Sequence, residues 1–363
     1  MKKFCTCLIL LLLLSCTKNN TSTTSDTTVI SNNGEPADPA FRYEITEVQR
    51  SDYHDKGIMS VKGITAVSPN DIYLLDSRSC TVFHTDAQLN VINSFGGKGQ
   101  GPGEFEVSYN IAAIGDTISV IDDQLRRLSY LDRNGKFIRS AGFTGSLSWI
   151  RYVGGKIVGL GISNETVDEK YYGIQNINIY DSGLNIISQI FERRNFIKNP
   201  SVSVLKLIIT ATGKDRIYLY EKSKKDITIL IYDLTGKVIR TIKDRSPSID
   251  ISAEEIKELT EKYKSYNLAP EVIDEIIFGE GKTKNTVRYI YADKNGILWV
   301  LKTYRNEGKE NPVYSIYKDG IYIKDITLPI PADHKLFFEQ GRIYAVTDQE
   351  IIVFDYPELQ NDQ

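Results

Sequence analysis

One phrase recurs six times along these 363 residues: a strand, a turn with Asp or Gly, a second strand, then aromatic-Asp and a Gly turn into another strand. The first copy runs Asp71-Ile-Tyr-Leu-Leu-Asp76, Val82-Phe-His-Thr-Asp86, Val91-Ile-Asn-Ser-Phe95. The second is Asp116 to Asp122, Leu128 to Asp132, Asn134-Gly135 and Phe137 to Ser140. The third uses Gly155 to Leu160, Ile177 to Asp181 and Ile186 to Ile190, and the fourth Asp215 to Tyr220, Ile231 to Asp233 and Val238 to Ile242. After an insertion come Gly296 to Leu301, Tyr314 to Tyr317 and Tyr322 to Ile326, and finally Gly341 to Val346 and Ile351 to Asp355. A small sheet with two apolar faces must stack on neighbours like itself, so repeats of roughly 40–50 residues with four short strands predict propeller blades.

The predicted fold is therefore all-β, a six-bladed propeller of four-stranded antiparallel blades spanning residues 41–358. The 22 Tyr, against two Met and two Trp, suit half-buried strands. The sixth copy ends without an outer strand. Tyr43-Glu-Ile-Thr-Glu-Val-Gln49 alternates with period two ahead of the first blade, and is predicted to complete the sixth and remove an unpaired edge.

Tyr73-Leu-Leu-Asp76, Phe83 and the run Phe95-Gly-Gly-Lys-Gly-Gln-Gly-Pro-Gly-Glu-Phe105 resemble an NHL-type repeat of the six-bladed propeller lipoproteins. That resemblance implies the fold. It does not select an activity, since such propellers include binding modules and enzymes. The N-terminus carries the matching address: basic Met1-Lys2-Lys3, an apolar Cys7 to Leu14, and Leu13-Leu14-Ser15-Cys16 resemble a bacterial lipoprotein signal. The apolar run is too short to span hydrocarbon. The resemblance implies cleavage of residues 1–15, acylation of Cys16 (palmitate or a similar chain) and attachment to the cell envelope. Thr17 lacks the acidic character that resembles inner-membrane retention, which favours the outer membrane. Residues 16–40, rich in Ser, Thr, Asn and Asp, read as a flexible tether.

Loss of Lys2 and Lys3 with the signal takes the net charge from −3 to −5, which argues against general nucleic-acid affinity. Only Cys80 of the four cysteines then remains as a free thiol, so a monomer held by its core, without a disulfide, is expected.

Several motifs invite a chemical reading and lose it on spacing. Gly96 to Gly103 has no helix after it, as a phosphate loop requires. Gly281-Lys-Thr283 has Ile276 where the P-loop glycine belongs. Asp132-Arg-Asn-Gly135 and Asp293-Lys-Asn-Gly296 lack the glutamate of a calcium loop and read as hairpin turns. Asp76 and Asp122, ending second strands, read as acceptors for turn amides. His54, His84 and His334 show no zinc spacing, and no Gly-x-Ser-x-Gly elbow is present. No catalytic residue, metal ligand or cofactor is therefore assigned.

Two features carry the functional expectation. Residues 251–279 read as a helical hairpin between blades four and five, opened by the capping box Ser252-Ala-Glu-Glu255 and restarted at Pro270. The starts of the inner strands offer Lys62, Tyr109, Trp149, Arg151, Lys206, Arg288, Tyr289 and Lys335, a ring of cations and aromatics suited to an anionic or sugar-like ligand at one mouth of the channel. The sequence thus predicts an envelope-anchored, non-enzymatic recognition protein presenting its propeller face to a protein or envelope component. A metal-dependent lactonase- or lyase-like enzyme in the channel is the alternative.

Overall fold

The computed structural model describes residues 20–24, 27–197, 207–209, 215–278 and 281–359. Six antiparallel sheets, numbered here as blades in chain order, each run from an inner to an outer strand. Blade one comprises Val61–Ser68, Asp71–Asp76, Thr81–Thr85 and Val91–Gly96; blade two Ser108–Ile114, Thr117–Asp122, Arg127–Asp132 and Phe137–Gly142. Blade three comprises Ser146–Val153, Lys156–Val167, Lys170–Tyr180 and Ile186–Ile197; blade four Leu207–Ile209, Arg216–Glu221, Ile227–Asp233 and Val238–Asp244. Blade five comprises Val287–Ala292, Leu298–Lys302, Val313–Lys318 and Ile321–Thr327. Blade six comprises Lys335–Glu339, Arg342–Val346 and Glu350–Asp355, and its outer strand is Thr46–Asp52, paired antiparallel to Glu350–Asp355. The ring closes as the sequence predicts.

The second strands bear contiguous buried side chains, Ile72 to Asp76 being an instance, because a neighbouring blade covers each face. Six apolar clusters result, one per seam. The tyrosines belong to these seams: the ring fills the interface while the hydroxyl reaches a turn of the next blade. Tyr73 donates to the Arg133 carbonyl at 3.2 Å, Tyr130 to Ser182 at 2.7 Å and Tyr218 to Gly296 at 3.3 Å. Gly135 shows why the turns need glycine. Its φ is +88°, and a Cβ there would overlap Phe95 of blade one.

The Gly96 to Phe105 run is such a connection. Phe105 is buried between blades one and two, and its amide donates to Gly97 O at 2.9 Å. Asp132 Oδ1 accepts from the amides of Asn134 and Lys136, and Asp293 Oδ1 from those of Asn295 and Ile297. Asp76 takes the amides of Met59 and Arg78, Asp122 those of Glu106 and Leu125, stapling each blade's entry to its own turn.

Part of the expected tether is a correction. Thr27–Ser31 forms a strand parallel to the outer strand of blade four. The chain then crosses blade five, where Asn32 Nδ2 donates to Gly320 O at 3.0 Å and the Ala37 amide to Tyr322 O at 2.9 Å. Ser, Thr and Asn compose a flexible segment and an edge strand equally well, because an edge is held by backbone. Ile30 supplies the apolar anchor; its Cδ1 lies 2.8 Å from where a Cβ of Gly320 would stand.

The insertion consists of α1 (Ala253–Lys264) and α2 (Pro270–Phe278). The capping box at Ser252 is formed. Lys284 binds Glu255 at 2.6 Å and Glu307 at 2.8 Å, which fixes the hairpin to blade five. Val272, Ile273 and Ile277 of α2 are buried, whereas α1 buries none of its residues.

Candidate functional site: the mouth of the channel

Each inner strand feeds the same kind of hairpin, so the inner strands run one way and their first residues share one mouth of the central channel. Side chains at these starts are aimed by a repeated irregularity. Pairing with the second strand slips by one residue between Val61 and Gly63, Ser108 and Asn110, Leu147 and Trp149, and Val287 and Tyr289. The skipped residues are Lys62, Tyr109, Ser148 and Arg288, all exposed. A β-bulge re-aims the extra side chain away from the ladder. The same bulge in four blades directs these residues outward, away from the seams. Blade six adds exposed Lys335, paired regularly with Val346. Tyr289, exposed beside Arg288, lies 6.2 Å from the Tyr291 ring.

Lys62 and Lys335 stand on adjacent blades. Although Lys335 is open to solvent, partial desolvation by the surrounding channel wall pushes its ammonium below its usual value, the charge of Lys62 lowers it further, and Asp333 offsets only part of this. Among the described residues no carboxylate forms an ion pair with Lys62, Arg288 or Lys335.

The expected ring is reduced elsewhere. Trp149 is half-buried and packs in the seam between blades three and four. Arg151 pairs with Val158, two residues from the hairpin, below the mouth; its guanidinium lies 6.0 Å from the Trp149 ring centroid. Lys206 and Cys16 lie outside the described residues. Alternation along the strand separates Trp149 from the mouth, and Ser148 takes its place through a bulge that pairing creates.

Sequence reasoning missed Glu339, at the hairpin end of the inner strand of blade six. Burial in the channel pushes its carboxyl up to about 7, against the opposing pull of Arg151 from blade three across the axis. The unfolded value is about 4.3, so this group favours the fold in its protonated form, and its contribution is lost as pH rises through about 7. Glu339→Gln should match the parent near about pH 4 and melt higher near about pH 8. Superimposable melting profiles over that range would show that Glu339 titrates as an ordinary carboxylate.

Among the described residues no three His, Cys, Asp or Glu side chains group to hold an ion. The histidines are engaged locally. His84 Nε2 lies 3.2 Å from Asp71 Oδ1, and buried His334 Nε2 lies 2.5 Å from the Tyr314 hydroxyl.

No family model and no curated protein matches the chain. Solved structures do. A candidate exported protein from Bacteroides fragilis is 13% identical with a TM-score of 0.56, the match covering 92% of this chain and 100% of that one. A member of the DUF4221 family from Bacteroides vulgatus is 11% identical with a TM-score of 0.52, covering 87% and 98%. At such identities the likeness is one of fold: this chain shares the six-bladed propeller architecture across nearly its whole length.

Proposed function

We propose that the protein is an exported, non-enzymatic recognition propeller, anchored to the envelope through acylated Cys16, that binds an anionic group of a protein or envelope component at the channel mouth. The observation that carries this reading is the placement of Lys62 and Lys335 at the mouth ends of the inner strands of adjacent blades, with no paired carboxylate among the described residues. Two like charges held together are relieved by an anion between them, through charge-assisted hydrogen bonds. Arg288 adds a planar donor on blade five, and exposed Tyr109 and Tyr289 offer faces on which a sugar can stack. The likeness to a candidate exported protein agrees with an extracytoplasmic setting.

The test titrates the full chain with inorganic phosphate and with acidic monosaccharides by calorimetry. A hydrogen bond to a charged group is worth about 1.5–3 kcal/mol, so Lys62→Ala and Lys335→Ala should each weaken binding by roughly ten- to hundredfold. Tyr109→Ala should weaken sugars more than phosphate. Equal affinity in the parent and in a Lys62→Ala, Arg288→Ala, Lys335→Ala chain would overturn the site. In the native host, Cys16→Ala should move the protein from the membrane to the soluble fraction; retention in the membrane would overturn the anchor.

A further inference from the structure

The outer strands share a second repeated bulge. Pairing between the third and outer strands skips Ile92 in blade one, Ile138 in blade two, Ile187 in blade three, Ile239 in blade four and Ile323 in blade five. Val48 is skipped in blade six. An aliphatic residue at the same bulge in every blade produces a ring of apolar side chains around the perimeter.

Their surroundings differ sharply. Ile92, Ile138 and Ile187 are 59%, 51% and 53% exposed, whereas Ile323 is 8% exposed and Ile239 is half-buried. Ile323 belongs to the apolar cluster between blades five and six that Tyr43 completes, and Ile239 packs against the cluster between blades four and five; the chain's own N-terminal segment runs along the same two outer strands. Thr28 to Ser31 pairs with Arg240 to Lys243, the residues directly after the blade-four bulge, and Asp38 donates its amide to Ile323 O at 3.4 Å on blade five. The edge beyond such a bulge therefore accepts an extended β-branched segment in parallel. Among the described residues the segment ends its coverage at blade four, and the outer strand of blade three is the next edge along. Ser188 and Ile190 of that strand pack against Gly236, in the turn that leads into the covered strand of blade four. At 12 residues, against six in blades one and two, it is also the longest outer strand to which no described strand is added.

We propose that the outer edge of blade three, Ile186–Ile197 with its bulged Ile187, is a docking strand for an extended, β-branched polypeptide segment of another protein, added in parallel as Thr27–Ser31 is added to blade four. The backbone supplies affinity through ladder hydrogen bonds, as Thr28 to Ser31 does on Arg240 to Lys243, and the exposed Ile186 and Ile187 supply an apolar contact beside the ladder. This surface lies on the perimeter and is independent of the channel mouth.

The probe is a capped synthetic peptide of residues 26–33, and the readout is amide hydrogen exchange of the full-length protein. At saturating peptide, exchange across Ile186–Ile197 should slow by about tenfold or more. A peptide carrying Val29→Pro, which cannot complete a ladder, should give no protection, and Ile187→Lys in the protein should abolish it. Unchanged exchange in that strand, or changes confined to blade four, would overturn the proposal. So would a concentration-dependent dimer, dissolved by Ile187→Lys, without peptide protection: the edge would then serve a second copy of the chain.

Discussion

Asp244→Ala should lower the thermal midpoint by roughly 10 °C, the largest loss expected from a single side chain. Asp244 ends the outer strand of blade four and Lys302 the second strand of blade five. Their side chains meet at 2.8 Å with no exposure at either. Tyr317 donates to the same carboxylate oxygen at 2.5 Å, and the ammonium lies 4.4 Å from the Tyr322 ring centroid. Burial holds the Lys302 ammonium below its usual value even though Asp244 pulls the other way. Removing the carboxylate strands a cation in an aromatic cage, a loss of about 3–5 kcal/mol for a buried pair. The double variant Asp244→Leu, Lys302→Met should recover most of that, because an apolar pair of similar volume avoids desolvation. Calorimetry on the three chains decides the matter. An Asp244→Ala midpoint within a degree of the parent would show that water reaches this seam.

Deleting residues 1–52 should abolish the cooperative native state, whereas deleting residues 1–26 should leave it intact. The longer deletion removes Thr46–Asp52 and exposes the ladder edge of Glu350–Asp355, in which Ile351, Ile352, Val353 and Phe354 are all buried. It also removes Tyr43, buried beneath blades five and six, whose hydroxyl donates to Asp293 beside the Trp299 indole N–H. The summed loss exceeds a domain's usual margin of about 5–15 kcal/mol, and a bare hydrophobic edge favours aggregation. Size-exclusion chromatography with circular dichroism on both truncations tests this. A monomeric, cooperatively melting 53–363 fragment would mean that the ring is stable open.

The six blades, the closing strand and the helical hairpin were legible because their signals are local. Asp-Asn-Gly turns, aliphatic runs of strand length and the Ser252 capping box act within a few residues of themselves, and a repeated local signal implies stacking. The same locality let the sequence read Gly96 to Phe105 and the Asp-rich turns as connections, since Asp132 and Asp293 each spend Oδ1 on amides of their own turns.

What the amino-acid order determined by itself was the blade count, the turn chemistry and the pool of cations and aromatics near the starts of the inner strands. The tertiary structure alone decided which of them reach the mouth. Bulges are properties of strand pairing, so the separation of Lys62, Tyr109, Ser148 and Arg288 from seam-facing Trp149 exists only once second strands are in register. Arg151 and Glu339 act on each other solely because the ring brings blades three and six face to face across its axis. A segment as polar as Thr27–Ser31 became a strand because a neighbouring edge offered it backbone partners, and composition carries no record of that edge.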